Sequence, residues 1–256
     1  MAEVHAWQAT NSGLPAIEYV YESEVEPWLI AGSDMHFVAA ARASTSKYLK
    51  QLIEATPDDL RAKDKALLNE LVKSQHSGPF AHGLVSVYID CPLFVWQQIG
   101  THPELKRSRE SARYRTLRPR FYVPPITRAL FEGADFSPMR PVYHSALVNE
   151  YEDMVTLMLR SYGMAWKNYL SAREQGVGKE IARGLLPMAI MSTGIVSASP
   201  LFWLRALSVR TQTQASKRVS HVQAETAEVF MRVDAIMREQ YPHTMAAFDE
   251  AGRISP

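Results

Sequence analysis

A change of hydrophobic period in the first third of the chain constrains the fold most. Leu60, Leu67, Leu68, Leu71 and Val72 recur at the spacing of one helix face. From His82 to Asp90 the run HGLVSVYID instead sets Leu84, Ser86 and Tyr88 against Val85, Val87 and Ile89, the two-residue period of a strand, and Cys91-Pro92 ends it. LFVWQQIGTH after Pro92 reads as helix again. Further helices are expected from Asp34 with that residue as N-cap, from Thr56-Pro57-Asp58-Asp59 through Gln75, and over 138 to 175 between Ser137-Pro138 and the closing Gly176 and Gly178. KEIARGLL, residues 200 to 212 and 215 to 240, and the stretch after Pro242 complete the helical set, while FYVPP and MAIMSTGIVSAS suit strands. Strands set among helices predict an α+β fold. The expected organisation is a single domain over residues 34 to 256, a sheet flanked by long helices, preceded by short strands or an irregular lead-in over 1 to 33.

Charge narrows the partners. Twenty-eight Lys and Arg face 27 Asp and Glu, a net charge of +1, so no long-range field calls for nucleic acid or a membrane. The lone Cys91 excludes an intramolecular disulfide and a Cys-based zinc site, and suits a reducing compartment. MAEVHAWQAT lacks a basic start followed by an apolar stretch, and no apolar run approaches the roughly 18 residues that span a bilayer. A cytoplasmic protein is the expectation.

Any anion site must therefore be local. Between Lys106 and Arg120 lie Lys106, Arg107, Arg109, Arg113, Arg115, Arg118 and Arg120 against the single acid Glu110. A solvated basic face is the plain reading. The six arginines tilt it toward a nucleotide, because their forks match phosphate or a pyrimidine's carbonyl edge through paired hydrogen bonds. His76 and His82 flank a Gly-Pro turn without a neighbouring carboxylate or third histidine, which favours packing or ligand contact over a metal. Cys91 has no assigned base and reads as a structural thiol. The chain lacks GxxxxGK[ST], GxGxxG and GxSxG, which argues against the common nucleotide-binding and hydrolase folds.

Taken in order, these pieces resemble the flavin-dependent thymidylate synthase family. The matching run is His76-Ser-Gly-Pro-Phe-Ala-His82, Pro92, Gln97-Gln98, Thr101-His102-Pro103, seven residues to Ser111, Arg113-Tyr114 and Phe121-Tyr122-Val123-Pro124. Ala40-Ala41-Arg42-Ala43-Ser44 upstream, and Ile181-Ala182-Arg183-Gly-Leu-Leu-Pro187 and Leu207-Ser-Val-Arg210 downstream, extend it over about 34 to 250. The departures cluster. The family's Arg-His-Arg triplet is Thr101-His102-Pro103, its turn Glu is Ala81 and its turn Ser or Thr is Gly78; Arg109 replaces a Glu, Ser199 and Arg205 replace asparagines near the flavin, and a Gln-x-Glu becomes Ser216 and Arg218.

The resemblance implies a homotetramer with active sites built from more than one subunit. It further implies methylation of a deoxypyrimidine monophosphate, deoxyuridylate, at C5 with FAD, NADPH and methylenetetrahydrofolate. Gln98, Ser111, Arg113 and Arg183 would hold the phosphate, and Arg210 would sit catalytically against the uracil carbonyl edge. Ser44, His76, His102, Ser199 and Arg205 would line the flavin, with Arg107, Arg109 or Arg205 replacing the lost triplet charge. No metal is implied. The alternatives are action on another deoxypyrimidine monophosphate, and a non-catalytic nucleotide-binding paralogue that has lost flavin.

Overall fold

The computed structural model describes residues 17–56, 59–133 and 142–256. In chain order the elements are β1 (Glu18–Val20), β2 (Glu24–Ala31), α1 (Asp34–Arg42), α2 (Leu49–Ile53), α3 (Ala62–Lys73), β3 (Leu84–Pro92), α4 (Leu93–Ile99), β4 (Lys106–Arg109) and β5 (Arg120–Tyr122). They continue as β6 (Phe131–Glu132), β7 (Tyr143–His144), α5 (Val148–Glu174), α6 (Lys179–Ala182), β8 (Met191–Ala198), α7 (Pro200–Arg210), α8 (Ala224–Gln240) and α9 (Pro242–Glu250). Short 3-10 turns cover Gly78–Ala81 and Arg183–Leu185. The fold is α+β, as expected, and the described residues gather into two compact units.

One unit comprises residues up to Glu22, Pro92–Phe94 and Glu110–Ser192. Its centre is aromatic. Phe121 of β5 stacks on Tyr162 of α5 at 5.1 Å between ring centroids, and Trp166 meets Phe121 edge-on and stacks on Tyr169. The Tyr162 hydroxyl donates to Tyr122 O at 3.1 Å, which satisfies the polar end of a ring whose body fills the core. β5 pairs in parallel with β1, and β6 with β7 antiparallel. The predicted helix over 138 to 175 is shorter at its start: the Ser137-Pro138 signal lies outside the described residues, and α5 begins at Val148, where Glu150 accepts from the Leu147 N–H at 2.8 Å.

The other unit comprises Ser23–Cys91, Val95–Arg109 and Thr193–Pro256. Its sheet runs β2-β3-β8-β4. β3 is the strand that the two-residue period announced. Its Val85, Val87 and Ile89 are fully buried, and Trp203 of α7 donates its indole N–H to Val85 O at 3.0 Å. At the far edge β4 pairs antiparallel with β8, and Gly194 permits the contact: a Cβ there would stand 2.6 Å from Ser108 O and 2.8 Å from the Trp96 ring.

Several expectations are corrected here. Of the two readings for the first 33 residues, strands hold for 18–20 and 24–31, and the second of these is an edge of the sheet. Ser33, in extended backbone, is the N-cap of α1, whereas Asp34 is the helix's first residue. The Asp34 carboxylate serves another helix: it accepts from the backbone N–H groups of His243 and Thr244 and from the Thr244 hydroxyl, at 2.5 to 2.9 Å, at the start of α9. Thr56 donates to Asp59 in a turn, and α3 starts at Ala62. Residues 211–223 carry no regular helix, so α8 begins nine residues later than predicted.

Candidate active site

The basic segment splits. Lys106, Arg107 and Arg109 lie on the exposed edge strand β4, while Arg113, Arg115, Arg118 and Arg120 belong to the other unit. In that second unit three of the expected phosphate ligands come together. Arg113 is exposed, its Nε donates to Glu180 Oε2 at 2.5 Å, and its backbone N–H donates to Ser111 Oγ at 3.3 Å. Arg183, at the first residue of the 3-10 turn after α6, donates from Nε to Glu180 O at 3.1 Å. α6 thus sets the Glu180 carboxylate on Arg113 and its backbone carbonyl on Arg183. Nothing in the sequence pattern singled out Glu180 as their common partner, although its place three residues before Arg183 in a helical run was a usable signal.

The remaining expected residues lie in the sheet-bearing unit, and the tightest group surrounds Arg210. This residue ends α7, half-buried, and its guanidinium reaches the altered triplet. Nε donates to His102 Nε2 at 3.0 Å and Nη2 donates to Thr101 Oγ1 at 2.7 Å. The Thr101 hydroxyl in turn donates to Gln98 O at 2.8 Å, at the end of α4. Because an arginine N–H can only donate, His102 Nε2 must carry a lone pair, so the ring is neutral with its proton on Nδ1. Its pKa is lowered in agreement, by burial first and then by Arg210 and Arg107, against an opposing pull from Glu104. Burial also lowers the Arg210 pKa, without approaching neutrality at ordinary pH.

Arg107 folds back over the turn before the triplet. A Cβ on Gly100 would stand 2.7 Å from its Nη1, so glycine is what allows that approach. Arg109 lies over the Trp96 ring, 5.9 Å to the centroid, and Arg205 over Phe202 at 5.4 Å. Ser199 is the N-cap of α7, and its hydroxyl is buried without a hydrogen-bond partner. Ser44 is exposed in the turn after α1. His76 is exposed beyond α3, its backbone N–H closing that helix on Leu71 O at 2.9 Å. Arg210 and His102 are thus in direct contact and the Gln98 backbone carbonyl is linked to them through Thr101, whereas no contact joins Ser44 or His76 to that group among the described bonds. Among the described residues no group of three or more His, Cys, Asp or Glu is placed to hold a metal, and no helix is long and apolar enough to cross a membrane. Thr101, at the first position of the triplet, makes the contact the sequence concealed: its partner lies 109 residues away.

Comparison with known proteins places the chain in a family. The profile of the family described as thymidylate synthase complementing protein matches residues 29–243. A flavin-dependent thymidylate synthase of Streptomyces coelicolor is 29% identical over 246 residues, covering 94% of this chain and 97% of that protein. That of Tropheryma whipplei is 32% identical over 244 residues, covering 93% and 97%. Among solved structures, the UMP/dUMP methylase PolB of Streptomyces cacaoi bound with 5-Br dUMP superimposes with a TM-score of 0.85 at 29% identity, over 94% of this chain and all of that one. The same methylase bound with 5-Br UMP gives a TM-score of 0.84 at 28% identity. The chain belongs to the thymidylate synthase complementing protein family, that of the flavin-dependent thymidylate synthases, which are methyltransferases.

Proposed function

We propose that the protein methylates deoxyuridylate at C5. The observation that carries the reading is Arg210, a half-buried guanidinium oriented by two neutral acceptors. Two of its five N–H groups are spent on His102 and Thr101, and three remain for a carbonyl edge. Placed against the uracil, it donates to the carbonyl oxygen on which negative charge develops as C5 becomes nucleophilic, and stabilises that charge more than the ground state. Carried over from the resemblance, in which more than one subunit builds each active site, Ser111, Arg113, Arg183 and Gln98 take the phosphate. The Arg113 to Glu180 pair is about half exposed on both sides, so it opposes a dianion only weakly.

The donor set suits FAD. Ser199 offers an orphaned hydroxyl, Arg205 and Arg107 offer cations for a pyrophosphate, and His102 keeps its Nδ1–H for an acceptor. Ser44 and His76 are carried over from the resemblance alone. When bound, FAD reduced by NADPH supplies the hydride, and methylenetetrahydrofolate supplies the carbon. The reading includes assembly as a homotetramer; exposed apolar side chains on α5, Leu157 at 66% and Met164 at 60%, are suited to such an interface. Light scattering should give four chains, and a monomer at micromolar concentration would contradict it.

A ribonucleotide substrate is the second reading, favoured because PolB is described as a UMP/dUMP methylase. The test is an assay with FAD, NADPH and methylenetetrahydrofolate, run in parallel on deoxyuridylate, uridylate and deoxycytidylate. Methylated deoxyuridylate supports the first reading, and methylated uridylate in excess the second. Product from deoxycytidylate alone would move the substrate to another base. No product, with no spectral change at saturating FAD, would leave a nucleotide-binding paralogue.

A further inference from the structure

The backbone at Arg210 is pinned from behind. Thr211 donates its hydroxyl to Leu207 O at 2.6 Å and accepts from Arg253 Nη2 at 2.9 Å. Arg253 is almost wholly buried, paired with Asp234 and Asp249, and lies over the Phe248 ring. This network settles where the Arg210 side chain starts and leaves its direction open. A long arginine side chain loses rotamer freedom on being held in one direction, so a guanidinium ready for a ligand needs dedicated contacts.

Thr101 and His102 supply them. The hydroxyl of Thr101 has one proton, given to Gln98 O, so toward Arg210 it can only accept. His102 likewise accepts through Nε2. Neither partner is anionic, so the cation keeps its charge for a third group. An arginine at position 101, as in the family pattern, would instead set a like charge beside Arg210. The groups facing His102 are Arg210 from α7, Arg107 from β4, Glu104 from its own loop and Phe230 from α8, whose ring centroid is 5.8 Å away.

We infer that Thr101 is a positioning residue that aims Arg210 at the base, so that replacement of the family's first triplet arginine rewires the site and does not merely delete a cation. This rests on the proposed role of Arg210. The experiment follows the His102 ring by nitrogen-edited NMR across pH in the wild type, Thr101→Val, Thr101→Ser and Arg210→Gln, alongside calorimetric titration of deoxyuridylate. Thr101→Val should let His102 titrate higher, toward the ordinary imidazole range, and weaken nucleotide binding about tenfold, as loss of one hydrogen bond to a charged group implies. Thr101→Ser keeps the oxygen and should restore both to within about twofold. Arg210→Gln should raise the His102 titration even if the valine variant does not fold. An unmoved His102 titration in Thr101→Val, or in Arg210→Gln where only that variant folds, would overturn the inference. A wild type with the low His102 titration but no affinity for deoxyuridylate would instead overturn the functional reading and leave the clamp standing.

Discussion

Two arginine sites in this molecule are built in opposite ways. Arg113 meets a carboxylate, Glu180, in an exposed pair, while Arg210 meets a hydroxyl and a neutral imidazole in a half-buried position. The first arrangement holds a cation by compensating it, and water screens both partners. The second orients the cation and leaves its charge whole. An exposed, compensated arginine suits a phosphate dianion that can outbid one carboxylate. A base carbonyl carries no net charge, and its recognition requires direction.

The comparison can be broken at its supports first. Asp234→Ala removes an almost wholly buried carboxylate from Arg253, which leaves that buried guanidinium to Asp249 alone; the loss should be about 3 kcal/mol of stability, a melting temperature lower by about 10 °C. Differential scanning calorimetry measures it, and an unchanged melt would detach the network from the account. Arg210→Ala should fold normally by circular dichroism and lower turnover of deoxyuridylate by about a hundredfold or more, the usual cost of losing one donor to a developing oxyanion. In the other unit, Arg183→Ala should weaken nucleotide binding about tenfold in a calorimetric titration, while Arg118→Ala, outside the matched set, should do little. The smallest effect is at Glu180. Glu180→Gln should leave the melting temperature nearly unchanged and tighten the nucleotide about twofold by freeing Arg113.

Acid should sharpen the contrast. The folded His102 pKa lies below 6.5, so the unfolded chain binds its proton first as pH falls. Its contribution is therefore complete above about 6.5 and is lost as pH drops through the lower folded value, when Nε2 can no longer accept from Arg210. Wild type should lose melting temperature over that window more steeply than His102→Gln, and parallel pH curves would count against a neutral His102.

Legibility followed locality. β3 and α3 announced themselves because their period survives in the sequence, and the end of α5 because Gly176 and Gly178 close it. β2 did not, since an edge strand with exposed Glu24, Glu26 and Trp28 and a bulge between Pro27 and Leu29 has no buried alternation to read. Asp34 looked like a local cap, and its true partners are His243 and Thr244. Arg113, Arg183 and Arg210 were reachable through motif resemblance. Thr101 was visible only as a departure; that it accepts from Arg210 depends on a tertiary contact that no spacing encodes.

The central claim is that an uncompensated, oriented Arg210 meets a uracil nucleotide. Isothermal titration of deoxyuridylate into wild type and Arg210→Ala, at matched pH and salt, tests it most directly. The account predicts saturable binding by the wild type and an affinity about tenfold or more weaker in Arg210→Ala, with the fold intact. Equal affinities in the two proteins would contradict it.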